Sequence, residues 1–225
     1  MTSTISALTT GGGGIVMSGD SSGNLSLLSG ATTVVAVTSA GAAVTGTLSA
    51  TGASTFTGTG KFATTIGVGN ATPSASGSGI TFPATQSASS DANTLDDYEE
   101  GTWTPSVGGT ATYTGRWGTY TKVGNLVTIM FNIGVNVLGT GSTTFISGLP
   151  FAINNPTYAN DQSGCLSFFS NIATSVYCLN LRGTQGSTTL FFSGTTATTT
   201  SINNSVTVFG NNTSIQAAIT YQTTA

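Results

Sequence analysis

Between Leu126 and Val137 the chain alternates with a period of two. Val127, Ile129, Phe131, Ile133, Val135 and Val137 are interleaved with Thr128, Met130, Asn132, Gly134 and Asn136. Only a β-strand sends successive side chains to opposite sides, so this run predicts a strand with one buried face and one wetter face. The preceding Val123-Gly124-Asn125-Leu126 has the composition of a tight hairpin turn. Shorter apolar or β-branched runs predict further strands at Trp103–Val107, Gly118–Val123, Thr143–Ile146, Cys165–Phe169, Ser175–Leu181, Thr188–Phe192, Ser205–Phe209 and Ile215–Tyr221. Nine short strands with no helical periodicity predict an all-β region over residues 101–225, an antiparallel β-sandwich or jelly-roll-like head.

The front of the chain is built differently. Thr9-Thr10-Gly11-Gly12-Gly13-Gly14 is a glycine tract, and Leu25–Leu28, Thr32–Thr38 and Ala42–Val44 are short strand candidates separated by Ser29-Gly30 and Ser39-Ala40-Gly41. Thr-Gly then recurs every six residues at Thr45-Gly46, Thr51-Gly52 and Thr57-Gly58, with Val44, Ala50 and Phe56 before each and Phe62 continuing the spacing. An even period keeps those side chains on one face of an extended chain, and a fixed β repeat belongs to stacked architectures whose units cannot bury their faces alone. The competing reading is chance recurrence in a Thr/Gly-rich segment. Gly67–Pro73 and Ser74–Gly79 read as a linker. With so few bulky side chains, this half is expected to find its interior in other copies of itself.

Four of the seven acidic residues, Asp96, Asp97, Glu99 and Glu100, fall within five positions where the two compositions meet. The run Ile80-Thr81-Phe82-Pro83-Ala84-Thr85-Gln86, with Ser89 through Pro105 after it, resembles the neck segment of bacteriophage fibre proteins. Gly118–Asn125 with its following alternation, and Ile146-Ser147-Gly148-Leu149-Pro150-Phe151, resemble the head of the same family. The resemblance covers residues 80–151. It implies a homotrimeric virion fibre and supplies no catalytic residues. Residues 1–40 would then be a virion-attachment segment that meets other tail or capsid proteins, residues 41–95 a repetitive β shaft and linker intertwined in the trimer, residues 96–100 an acidic neck, and residues 101–225 the head.

Charge and residue types narrow the chemistry. Charged residues are 5% of the chain, against roughly a quarter in ordinary domains. Lys61, Arg116, Lys122 and Arg182 are the only cations and do not cluster, which disfavours nucleic acid and anionic membranes. No run reaches the roughly 18 apolar residues of a membrane span, and Met1–Thr10 lacks the pattern of a signal peptide. Expression in a host cytoplasm and residence on a virion surface are the corresponding expectations. The chain has no histidine, so the commonest general base and zinc ligand are missing, and no enzyme activity or cofactor is expected. A hairpin centred on Asn171-Ile172 would put Cys165 opposite Cys178, allowing either a disulfide or two reduced, buried thiols.

The acidic cluster has three readings: a glycosidase pair, a calcium site, or a hydrated collar pairing with Arg116 or Lys122. Adjacent carboxylates seldom straddle a glycosidic bond, and the regular calcium-loop spacing is missing, so the collar is preferred. Tyr113, Trp117, Tyr120, Tyr158, Tyr177 and Tyr221 can stack on sugar rings, although core or rim packing is the default for each. Loop amides match sugar hydroxyls better, so candidate glycan-binding residues are Tyr158, Asn160, Asp161, Gln185, Asn203, Asn204, Asn211 and Asn212, if these loops are more than turns. The functional expectation is a phage fibre that displays a trimeric head to a host-surface polysaccharide during adsorption. Its rivals are a purely architectural capsid or tail fibre without a receptor, a polysaccharide depolymerase and a bacterial adhesin.

Overall fold

The structure is a computed structural model, and it describes residues 25–29, 32–38, 40–51, 53–55, 57–86, 89–91, 93–155, 162–196, 201–203 and 205–224. The chain forms two compact units, one ending at Lys61 and one beginning at Phe62. Among the described residues there is no helix.

In the first unit β1 (Leu25–Ser29), β2 (Thr32–Thr38) and β3 (Gly41–Val44) make an antiparallel sheet in chain order. All three strand expectations are met. The register aligns Leu27, Val35 and Val44 in one cross-strand row, with Val37 and Ala42 in the next row on the same face. The sheet therefore has an apolar side. Leu27, Val37 and Val44 remain 40–46% exposed, and none of this unit's residues whose burial is described is buried. The described residues from Thr45 to Lys61 are exposed and belong to no strand. The described residues of the Thr-Gly repeat, expected as shaft strand, thus have no ladder partner among the described residues, and its Gly52 and Phe56 lie outside them.

The second unit opens with a small parallel pair, β4 (Thr65–Gly67) and β5 (Gly79–Thr81). The intervening residues, expected to be a linker, are folded: Ala71 N–H donates to Val68 O, and the Thr65 hydroxyl donates to Ser74 O at 2.6 Å. The remaining strands are β6 (Tyr98–Trp103), β7 (Thr112–Val123), β8 (Leu126–Val137), β9 (Phe145–Ser147), β10 (Gln162–Ser170), β11 (Cys178–Gly183), β12 (Thr189–Thr195) and β13 (Ser214–Gln222). They form one antiparallel sheet in the order β6-β7-β8-β13-β10-β11-β12-β9. The sheet curls until its two ends meet, where Ser106 and Ser147 exchange N–H···O bonds of 3.1 and 2.8 Å.

The core lies inside the curl. Val127, Ile129, Phe131, Ile133 and Val135 of β8 face Ile215, Ile219 and Tyr221 of β13, Leu181 of β11, and Leu190 and Phe192 of β12, all buried. Trp103 packs edge-on against Phe131 with ring centroids 5.6 Å apart, and Phe192 meets Phe209 in the same way at 5.4 Å. Gly118 leaves the space for Trp103, since a Cβ there would sit inside the indole. Ser205–Phe209, expected as a strand, supplies Val206, Val208 and Phe209 to the core without a ladder. Its backbone is held instead by Val206 N–H on Phe192 O and Val208 N–H on Thr143 O.

Candidate functional site

The curled sheet has two ends, and the chain enters at one of them. There Gly124 N–H donates to Asp97 O, Thr223 N–H to Asn125 O and Asn154 N–H to Gln222 O. The opposite end carries the Gly108–Ala111, Leu138–Gly141 and Gly210–Thr213 turns, the Asn171–Tyr177 loop and Asn203.

The described glycan candidates divide between these ends. Gln185 sits in the β11–β12 turn at the entering end, where Gly186 N–H donates to Ile153 O. Asn203, Asn211 and Asn212 lie at the far end. Asn203 Oδ1 accepts from Ser205 N–H at 3.1 Å, and Asn211 Oδ1 accepts from Leu138 N–H at 2.9 Å. Both amide oxygens therefore brace the backbone, as turn residues do. Asn212 adopts φ +63°, and its N–H donates to Asn136 O. Tyr158, Asn160, Asp161 and Asn204 lie outside the described residues.

Only part of the acidic run is a hydrated collar: Glu100 is exposed, whereas Asp97, which makes the expected pairing with Lys122, is buried. From Tyr98 on the run is strand β6, paired with β7 so that Glu99 faces Lys122 and Glu100 faces Thr121. Asp97 and Lys122 form an ion pair, and both are buried. Lys122 also donates to Gln86 Oε1 at 3.4 Å and lies 5.6 Å from the Phe151 ring centre. Glu99 accepts from the Tyr120 hydroxyl at 2.8 Å, Glu100 from the Tyr98 hydroxyl at 3.0 Å, and Asp96 from Ser89 N–H at 2.7 Å. The hydrogen bond to Glu99 raises the Tyr120 phenol pKa, and the bond to Glu100 raises that of Tyr98. Asp97 and Glu99 fasten the neck to β7, whereas Glu100 and Asp96 are held by partners within the neck itself. Arg116, the other expected partner, stacks over Tyr113 at 4.2 Å instead.

The aromatic candidates also separate. Tyr221 is buried, with its hydroxyl donating to Phe151 O at 3.1 Å, and burial raises its pKa. The Tyr113 hydroxyl accepts from Val107 N–H at 3.0 Å, and Tyr120 packs edge-on against Phe151. Trp117 and Tyr177 are left open, 55% and 81% exposed.

Trp117 borders a concavity on the outer side of the sheet. One cross-strand row there is Thr119, Met130, Ala218 and Cys165, and the next contains Trp117, Asn132, Gln216 and Phe168. Ala218 is small, and a bulge between Leu166 and Phe168 shifts the β10 side chains out of step. The result is an open cleft of about 520 Å³ with Trp117 and Met130 on one side and Cys165 and Ser167 on the other. A smaller hollow of about 280 Å³ along Ser163, Ala218 and Thr220 continues it.

Both cysteines are free and exposed, which corrects the expectation of buried thiols. The hairpin centred on Asn171-Ile172 does not form. β10 pairs with β11 only over Gln162–Gly164, and Cys165 lies opposite Ala218 of β13. Met130, Cys165 and Gln216 were not singled out as site residues. The signal was present for Met130, an unbranched apolar side chain at an outward position of the β8 alternation. Compared with known proteins, the chain matches no family model, no curated protein and no solved structure.

Proposed function

We propose that the chain is a homotrimeric bacteriophage virion fibre whose head binds a host-surface glycan during adsorption. The observation that carries this reading is the contrast between the two units. The first has an apolar sheet face and no buried residue among those whose burial is described, whereas the second encloses a full core. A three-stranded sheet needs a covered apolar face for stability, and identical neutral faces of sister chains can cover one another. The repetitive segment around Thr45–Gly58 is then an intertwined shaft, residues 1–40 join other virion proteins, and the curled sheet is a jelly-roll-like head. The threefold order rests on the resemblance over residues 80–151.

Sedimentation equilibrium of the full chain tests the assembly. The expected mass is three times the 22.4 kDa of one chain, and a monomer would end the proposal. Binding of the fluorescently labelled full chain to a panel of bacterial strains tests adsorption. Saturable binding to some strains is expected, whereas none on any strain favours the architectural alternative.

A further inference from the structure

We infer that the cleft bordered by Trp117 is the glycan subsite of the head and that it takes an uncharged saccharide. The inference rests on the adsorption reading and adds to it a place, a ligand class and a principal contact.

Three observations converge on the cleft. First, Trp117 is more than half exposed in the middle of a β-strand, on a sheet whose other tryptophan is buried. An indole edge and face open to water beside a cleft offer the flat apolar surface on which the C–H face of a pyranose stacks. Second, hydrogen-bonding side chains surround it. Gln216 lines the cleft, as does Ser167, whose hydroxyl donates to Gln216 O at 3.2 Å and keeps its oxygen as an acceptor, Asn132 shares the Trp117 row, and Thr128 and Thr220 share a 2.9 Å hydroxyl bond where the groove runs on. Amides and hydroxyls both donate and accept, as sugar hydroxyls require. Third, among the described residues no charged side chain lines the larger cleft, and Arg182 is the cross-strand neighbour of Ser163 only at the smaller hollow. An anionic polysaccharide would leave its carboxylates without a counter-charge in the larger cleft. A neutral sugar has no such cost.

A second copy of the chain fits this surface less well. A stable interface buries on the order of 800 Å² per partner, with a core depleted of polar groups. Here Trp117, Met130 and the half-exposed Phe168 are interrupted by Thr119, Asn132, Gln216 and Ser167, so the apolar side chains do not form one continuous patch. The volume of about 520 Å³ falls in the range of small-ligand clefts, about 300–1,000 Å³. The far-end loops are weaker candidates, because Asn203 and Asn211 already spend their amide oxygens on backbone.

The test uses the full chain with a panel of short neutral oligosaccharides (glucans, mannans, galactans and N-acetylglucosamine oligomers) and matched uronate oligomers. The two tryptophans make fluorescence selective, because Trp103 is 7% exposed and Trp117 55%. A bound sugar is expected to shield the acrylamide-accessible emission saturably. By calorimetry, Trp117→Ala should weaken binding at least about tenfold while Trp117→Tyr, which keeps a stacking ring, stays within a few-fold. Uronate oligomers should not bind. Neutral binding that Trp117→Ala leaves intact overturns the assignment of the cleft and spares the adsorption reading. Binding of uronates alone, or binding to cells without binding to any neutral oligomer, overturns the ligand class and likewise spares adsorption. Dissociation of the assembly by Trp117→Ala overturns the inference by making the cleft a contact between subunits. If the full chain binds neither oligosaccharides nor any bacterial strain, both readings fall.

Discussion

Replacing Lys122 with methionine isolates the charge that fastens the neck to the head. Methionine keeps most of the aliphatic stem against Phe151 and removes the ammonium. Asp97, buried beside it, is left with no cation, and Gln86 Oε1 loses its donor. Breaking one side of a buried pair costs about 3–5 kcal/mol, most of it the stranded charge. At roughly 2–4 °C per kcal/mol for a unit of this size, the melting temperature should fall by roughly 6–20 °C. Lys122→Met combined with Asp97→Asn removes the stranded charge as well, so the double variant should recover to within about 1–2 kcal/mol of the parent. Urea unfolding followed by Trp103 emission measures this in a Trp117→Phe background, with chain concentration held fixed so that any self-association contributes equally to every variant. A loss below about 1 kcal/mol, or strict additivity of the two substitutions, would refute the reasoning, since exposed pairs behave that way.

Further outcomes follow from the core and the surface. Gly118→Ala should displace the Trp103 indole, shift its emission to the red and destabilise the head by about 1–3 kcal/mol, read by fluorescence and urea unfolding. Tyr221→Phe tests the raised phenol pKa. The folded protein holds that proton more tightly than the unfolded chain, so the stabilisation is complete below the unfolded value of about 10 and is lost as pH rises toward the higher folded value. The variant should therefore be weaker at neutral pH by about 1–3 kcal/mol, with Phe151 O left unpartnered, yet lose less stability between pH 9 and pH 11 in alkaline melts. Native protein should react with a thiol reagent at both Cys165 and Cys178, and a non-reducing digest should contain no peptide linking them.

How far the fold could be read from the chain depended on how cleanly each strand wrote its period. β8 was legible to the residue, because every inward position from Val127 to Val135 is bulky or β-branched and the turn before it carries Gly124 at φ +55°. β7 was seen only from Gly118, because the register shifts around Tyr113 break the alternation among Thr, Gly and Arg residues. β6 was missed as a strand because Glu99 and Glu100 look like solvent residues. Glu99 accepts from Tyr120 on β7 and Asp97 just before the strand pairs with Lys122, distant partners that no local pattern reveals. The cysteine hairpin failed for a topological reason: β13 returns from the end of the chain to lie beside β10, and nothing between Cys165 and Cys178 encodes that visit. Of the site, the loop amides stood out by composition, and those of Asn203 and Asn211 brace turns. Trp117 was visible as one aromatic among six, and only the sheet separates it from the buried Tyr221.

The way the chain enters the head has a mechanical consequence. β6 lies alongside β7 through six residue pairs, from Tyr98–Val123 to Trp103–Gly118. A pull applied at Asp97 while the far side of the head is held runs parallel to that strand, so the pairs are strained together instead of being peeled apart singly. The junction behaves as a lap joint, loaded along its whole length at once.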